Sequence, residues 1–245
     1  MDDFTPRTEM EEYWNEAGGS KWIENLDLIE SVLSPAGDRL LDSLPLADGI
    51  TVLDVGCGGG KIAFEVAGRV WPGGRVVASD ISGPILEMAQ STFSGSNNLE
   101  FLRCDVESYE FEVRSFDLVI SRFGVMFFDN PLKAFGNIRR AMKPDGNLRM
   151  LCWKTIHENL WMKIPAWAAF EVLERPSPPE PGDPGPFSLA DSQVVETLLE
   201  QAGFKNISLT EIKLDLNVDK EYKDLKLLFP NLREKKIIKN ILPYV

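Results

Sequence analysis

The sequence predicts an α/β fold, a doubly wound, mostly parallel sheet with helices on both faces, and three observations predict it. First, short apolar runs recur at Ile50 to Val55, Arg75 to Ser79, Leu99 to Arg103, Phe116 to Ser121 and Asn147 to Trp153. Second, each run is nearly continuous in apolar character and bounded by Gly, Pro, Asp or Ser, as strands buried on both faces must be. Third, segments of helical period separate the runs. Ile62, Val66 and Val70 recur every fourth residue after the first, and Leu132, Phe135, Ile138 and Met142 every third or fourth before the fifth. This alternation means βαβ units, whose right-handed crossovers build a parallel sheet. Lys143-Pro144-Asp145-Gly146 supplies turn chemistry expected to end the last of these helices.

One domain over residues 1–245 is expected, with appendages on either side of the core at 49–153. Residues 1–48 hold twelve acids and three bases and read as a solvated helical cover. Within it Tyr13, Trp14, Trp22 and Ile23 pack onto the core, and Tyr13, Trp14 and Trp22 are also candidates to close a ligand site. Residues 154–190 read as a lid or acceptor region, an insertion after strand five. It is made of an apolar helical stretch, Leu160 to Leu173, and a loop from Pro176 to Ser188 with six prolines and two glycines. Residues 191–245 read as helix, strand and helix. Ser188 and Asp191 are cap candidates, Val194, Val195, Leu198, Leu199 and Ala202 share a face, and Gly203 marks the stop. A strand-like alternation runs from Ile207 to Leu216, and Leu232, Ile237, Ile238, Ile241 and Leu242 form a last helical stripe.

Composition removes several functions. The chain of 245 residues carries 26 Lys plus Arg against 38 Asp plus Glu, a net charge of -12, which disfavours capture of nucleic acid or an anionic membrane surface. Cys57, Cys104 and Cys152 stand far apart without a metal-binding or disulfide pattern, so no metal is expected. The acidic start lacks the features of a secretion signal, and no apolar run has the length of a membrane span. A cytoplasmic protein is the expectation.

Chemistry enters after the first run. Val52-Leu53-Asp54-Val55-Gly56-Cys57-Gly58-Gly59-Gly60-Lys61 puts a glycine-rich turn between a buried strand and a helix, where backbone can approach a ligand and helix N–H groups favour an anionic group. A phosphate-binding P-loop fails, because Val55 stands where its first Gly belongs and Ile62 where Ser or Thr should follow the Lys. A dinucleotide fingerprint fits only as Gly58, Gly60 and Ala63, set two residues late, so a nicotinamide-dependent oxidoreductase remains an alternative. The remaining pattern is Asp54-x-Gly56-x-Gly58-x-Gly60.

That string resembles the first motif of the class I methyltransferases that use S-adenosylmethionine, a Rossmann-like family. Later segments resemble the same family. Ala78-Ser79-Asp80-Ile81-Ser82 is similar to the segment whose acid takes both ribose hydroxyls, and Cys104-Asp105-Val106 to the pair that meets the adenine. Ser121-Arg122-Phe123-Gly124 resembles the lining of the methionine end, and Arg140 to Gly146 the turn into strand five. The resemblance implies a cofactor site of Asp54, Gly56, Cys57, Gly58, Gly60, Asp80, Ile81, Asp105, Val106, Ser121 and Arg122. The chemistry is complementary, because acids suit a ligand bearing a sulfonium and an ammonium, whereas Asp54 would repel a pyrophosphate.

The same resemblance implies methyl transfer with S-adenosylhomocysteine as product, and the aromatic content, the proline-rich lid and the acidic surface suggest a small, partly apolar acceptor. Positioning alone can accelerate such a displacement. Phe123, Phe127, Trp153 and Trp161 are candidates to line the acceptor pocket. The lone His157 is a weak candidate base, in a polar stretch that reads as surface. A cofactor-binding module without turnover is a further alternative, and self-association into a homodimer is left open.

Overall fold

The computed structural model describes residues 8–170, 174, 177, 180 and 182–216. The expected C-terminal stripe from Leu232 to Leu242 lies outside the described residues, as do parts of the Leu160 to Leu173 stretch and of the proline-rich loop.

Five strands, β1 (Thr51–Val55), β2 (Arg75–Asp80), β3 (Leu99–Arg103), β4 (Phe116–Arg122) and β5 (Met142–Leu151), form a parallel sheet in the order β3-β2-β1-β4-β5. Their side chains alternate between two apolar cores. Leu53, Val77 and Val119 face one, and Val52, Val76, Leu118 and Ile120 face the other, which is why the runs show no polar face. Chain order reverses at β1, between β2 and β4, and such a switch point leaves a crevice beyond the carboxyl ends of the strands.

Helices α1 (Glu9–Asn15), α2 (Ala17–Glu24) and α3 (Leu26–Ser43) precede the sheet, and α4 (Lys61–Arg69), α5 (Gly83–Thr92) and α6 (Pro131–Ala141) connect strands. Helices α7 (Leu160–Ala169) and α8 (Ser192–Gln201) follow it. Side-chain caps set several starts. Thr8, Ser82, Asn130 and Asp191 accept the N–H of Glu11, Ile85, Lys133 and Gln193 respectively. Ser188 is not a helix cap; its hydroxyl donates to the Met126 carbonyl at 2.6 Å.

Four expectations need correction. Helix α6 ends at Ala141, before the Lys143 to Gly146 turn, and that turn interrupts β5 instead. Phe116 pairs with Met142 and Leu118 with Asn147, so the four intervening residues of β5 bulge opposite Asp117. Lys143 Nζ then reaches the Asp117 carboxylate at 2.7 Å. No helix lies between β3 and β4, where residues 104–115 form turns anchored by buried Phe111. Leu132 and Val194 are exposed, and the core faces of α6 and α8 are instead carried by Phe135 and Ile138 and by Val195 and Leu199. Ile207 to Leu216 forms no strand among the described residues, although Ile207, Leu214 and Leu216 pack on the core. Alternation alone is not a strand without a neighbour to complete its ladder.

Candidate functional site

A cavity of about 300 Å³, within the range of small-molecule sites, lies beyond the carboxyl ends of β1, β2 and β4. Its floor is the glycine loop. Gly56, Gly58 and Gly60 have φ of 67, 53 and 79°, while Cys57 and Gly59 between them do not take positive φ. That alternation of left-handed backbone is the physical content of the Gly-x-Gly-x-Gly spacing. Gly56 and Gly58 line the cavity. Gly60 caps α4 instead and faces away, where a Cβ would stand 2.8 Å from the Phe101 ring. Ala63, needed for the dinucleotide reading, is wholly buried in α4.

Asp80 stands at the end of β2 beside this loop. Gly58 N–H donates to its Oδ2 at 2.9 Å and Ser82 N–H to its Oδ1 at 3.0 Å, so the carboxylate shapes the floor on which a ligand would lie. Burial raises its pKa, and the N–H groups of Ser82, Gly58 and Ile81 oppose the rise. Asp105 closes a turn after β3, accepting Glu107 N–H at 2.9 Å and the Ser108 hydroxyl at 2.7 Å. Ile81, Asp105, Val106 and Glu107 join Asp80 in the cavity wall.

Beyond β4, Ser121 and Arg122 have different places. Ser121 is wholly buried, donates to the Val55 carbonyl at 2.8 Å and accepts Gly124 N–H at 3.2 Å, so it ties the two loops together and does not line the cavity. Arg122 does line it, and both its terminal nitrogens donate to Glu30 of α3, Nη1 at 3.0 Å. The two side chains are 9% and 10% exposed, a bidentate pair that α3 brings to the sheet. Beneath lies Asp54, 2% exposed, whose Oδ2 has no hydrogen-bond partner among the described residues. Burial lifts its pKa from 3.8 to about 7; Arg122 acts against that rise, and Asp80 and Glu30 add to it.

Aromatic rings form the walls. Phe123 stacks on Trp153 with centroids 4.0 Å apart and planes 7° apart, and Trp153 meets Trp161 at 5.5 Å. Phe123 adopts φ 66°, rare for a bulky residue, which turns its ring toward this stack. On the other side Trp14 packs edge-on against Trp22 and Phe127 at 5.8 and 5.2 Å. All six rings line the cavity. Trp22 Nε1 is buried without a partner among the described residues, next to Gly58.

The N-terminal helices reach the site through a residue that sequence reasoning did not single out. Asn15 Oδ1 accepts Gly83 N–H at 3.0 Å, and its Nδ2 donates to the Ile81 carbonyl at 3.2 Å. The Ser82 hydroxyl donates to the Trp14 carbonyl at 2.7 Å. Asn15→Ala should therefore lower stability by about 1–3 kcal/mol, because it strands part-buried backbone groups. A urea midpoint that falls at unchanged slope would show it.

Some sequence candidates stand elsewhere. Tyr13 is 47% exposed and outside the cavity wall, since its neighbour Trp14 takes the inward face of α1. His157 sits exposed in a turn, also outside the wall. Cys57, a cofactor-site candidate, is buried beneath the loop and outside the cavity wall, and burial pushes its thiol pKa up. A second hollow of about 410 Å³ lies at the opposite, amino ends of β1 and β4, beside Lys143 and Asp117, and has neither glycine loop nor aromatic wall.

A parallel sheet of this order, with a glycine loop after its central strand and acids at the next two strand ends, defines a Rossmann-like domain. Residues 52–146 match a family described as a methyltransferase domain. Over this core the chain is similar to methyltransferases, and its fold is that of solved methyltransferases described as S-adenosylmethionine-dependent. It is 33% identical over 114 residues to a demethylmenaquinone methyltransferase of Lactococcus lactis, covering 46% of this chain and 44% of that one. It is also 33% identical over 131 residues to a malonyl-[acyl-carrier protein] O-methyltransferase of Acetivibrio thermocellus, covering 53% and 45%. The match thus spans about half the length of such relatives or less. In fold it is similar to a methyltransferase from Aquifex aeolicus, with TM-score 0.54 and 24% identity over 71% of this chain and 83% of that one. Phosphoethanolamine N-methyltransferase 2 of Haemonchus contortus, solved with S-adenosyl-L-methionine, gives TM-score 0.63 and 19% identity over 97% and 55%. Among the described residues no helix is long and apolar enough to cross a membrane.

Proposed function

We propose that the chain binds S-adenosylmethionine in this cavity and directs its methyl group to a small, partly apolar acceptor. The observation that carries the reading is the convergence of acids on one aromatic cavity. Asp80 and Asp105 stand in the wall, Asp54 lies beneath with an unpaired oxygen, and Arg122, the one basic residue of the wall among those described, is already matched by Glu30. Such a site favours a cation. The named methyltransferases among the relatives, acting on demethylmenaquinone and on a malonyl carrier, support a small or carrier-borne acceptor.

In this reading Asp80 takes the ribose hydroxyls with the lone pairs that Gly58 and Ser82 leave open. Asp105 and Val106 meet the adenine, and the loop N–H groups with the remaining Arg122 donors receive the carboxylate. When bound, the cofactor supplies an electrophilic methyl on a sulfonium. The chain's contribution is alignment and exclusion of water by the rings, and proximity of this kind is worth about 7–11 kcal/mol in favourable systems. His157 has no role in it, and residues 154–190, which give Trp161, Met162 and Pro186 to the wall, act as the acceptor-side cover.

Calorimetry with S-adenosylmethionine tests the reading, followed by methyl transfer to a panel of neutral and acidic acceptors. Absence of binding overturns it. Binding without transfer across the panel would instead favour a regulatory module. Asp54 adds a pH signature. Its folded-state value of about 7 lies above 3.8, so its stabilising contribution is full below pH 3.8 and is lost as pH rises through 7. A cationic ligand lowers that value and expels the proton. Binding near pH 6 should release about one proton, measurable as a dependence of the heat on buffer ionisation, and the release should fade above about pH 8.

A further inference from the structure

We infer that the acceptor is a flat, uncharged molecule, and that carboxylate- or phosphate-bearing acceptors are turned away by the charge of the cavity itself. This deepens the cofactor reading above and rests on it. Among the described residues four carboxyl side chains, Asp80, Asp105, Glu107 and Asp129, line the cavity. Against them stands one guanidinium, and Arg122 is not available as an anion receptor in the ordinary sense. Both its terminal nitrogens are engaged by Glu30, which is itself buried and reaches the site from α3. The positive charge that a second anion would seek is therefore cancelled by the protein before any ligand arrives. What then remains of Arg122's hydrogen-bonding capacity is the share assigned to the cofactor's own carboxylate.

The apolar side of the cavity argues for shape. The parallel Phe123–Trp153 pair and the tilted Trp161 present ring faces, and offset or edge contacts with a further ring are the arrangement such walls favour. A protonated amine would gain from the same rings and carboxyl groups, but it would share the cavity with the cofactor's sulfonium, whose methyl must face the acceptor. Like charges at the reacting ends oppose that approach. An uncharged ring system meets neither obstacle. Acidic acceptors such as a malonyl group are predicted to be poor ligands here, although a relative acts on one.

The test uses the full chain saturated with S-adenosylhomocysteine, with saturation first established by calorimetry. Tryptophan fluorescence is then titrated at pH 7 with three probes of one ring size: naphthol, naphthoate and naphthylmethylammonium. Naphthol is expected to bind at least about ten-fold tighter than naphthoate and tighter than the ammonium probe. Naphthoate binding equal to naphthol overturns the exclusion of anions, and a preference for the ammonium probe overturns the uncharged acceptor. Glu30→Gln leaves the Arg122 charge uncompensated and should narrow the naphthol-to-naphthoate ratio; an unchanged ratio would show that Glu30 is not the reason for the exclusion. Should that variant fail to fold, the ordering of the three probes on the parent chain still decides. Failure of S-adenosylhomocysteine to bind overturns the cofactor reading and this inference together, whereas a reversed probe order overturns this inference alone.

Discussion

Gly124→Ala should abolish cofactor binding and lower the melting temperature by about 6–12 °C. Gly124 and Gly56 are where the loops leaving β4 and β1 touch. A Cβ on Gly124 would stand 2.6 Å from the Val55 carbonyl oxygen and 2.8 Å from Gly56 Cα, both backbone atoms at the exit of the central strand. No rotamer change relieves that overlap, so the two loops must separate and the Ser121 bridge between them must lengthen. Overpacking of this kind costs about 3 kcal/mol, and a domain of this size loses about 2–4 °C per kcal/mol. Gly136→Ala is the matched control. Its Cβ would meet nothing within 4 Å on α6, so the substitution should stabilise the helix by about 0.5–1 kcal/mol. Thermal unfolding and calorimetry on both variants check the pair; a Gly124→Ala protein with parental affinity would refute the role given to the loop crossing.

Asp80→Ala should weaken S-adenosylmethionine binding at least about a hundred-fold, since hydrogen bonds to a charged group contribute about 1.5–3 kcal/mol each and two are lost. The same change also strands the Gly58 and Ser82 N–H groups that the carboxylate holds. Asp80→Asn separates the two effects. It keeps the shape and one acceptor oxygen, so only one of the two N–H groups is stranded and stability should fall by about 1–3 kcal/mol, less than in Asp80→Ala. Affinity should still fall at least about ten-fold, because the amide cannot accept from both hydroxyls. Binding isotherms for the two variants decide; a parental affinity in Asp80→Asn would remove the acid from the site.

Much of the fold was legible because its central strands are buried on both faces. Val52 and Leu53 point to opposite cores, and no polar alternation dilutes the run. Local turn chemistry was less informative. Lys143 to Gly146 carries the same residues whether it stops a helix or forms a bulge, and the pairing of Phe116 with Met142 and of Leu118 with Asn147 chose the bulge. Tyr13 and Trp14 illustrate a related gap. Successive residues on a helix point about 100° apart, and composition does not say which one faces the crevice.

The candidate site divides in the same way. The glycine spacing and the strand-end acids were readable because left-handed backbone and carboxyl ends of parallel strands are consequences of local sequence. Asn15 and Glu30 were not. Asn15 meets Gly83 from 68 residues away, and Glu30 meets Arg122 from 92. Neither carries a mark that distinguishes it from other polar residues in the acidic N-terminal segment.

By itself, then, the sequence determined the parallel sheet, the glycine loop and the set of acids that a positively charged nucleoside ligand would meet, since each depends on neighbours in the chain. The tertiary structure alone decided that α3 neutralises Arg122, that Phe123 and Trp153 stack face to face, and that Tyr13 and His157 stay outside. Those outcomes depend on which distant surfaces come into contact, and burial, rather than residue type, sets the charge and shape of the cavity they enclose.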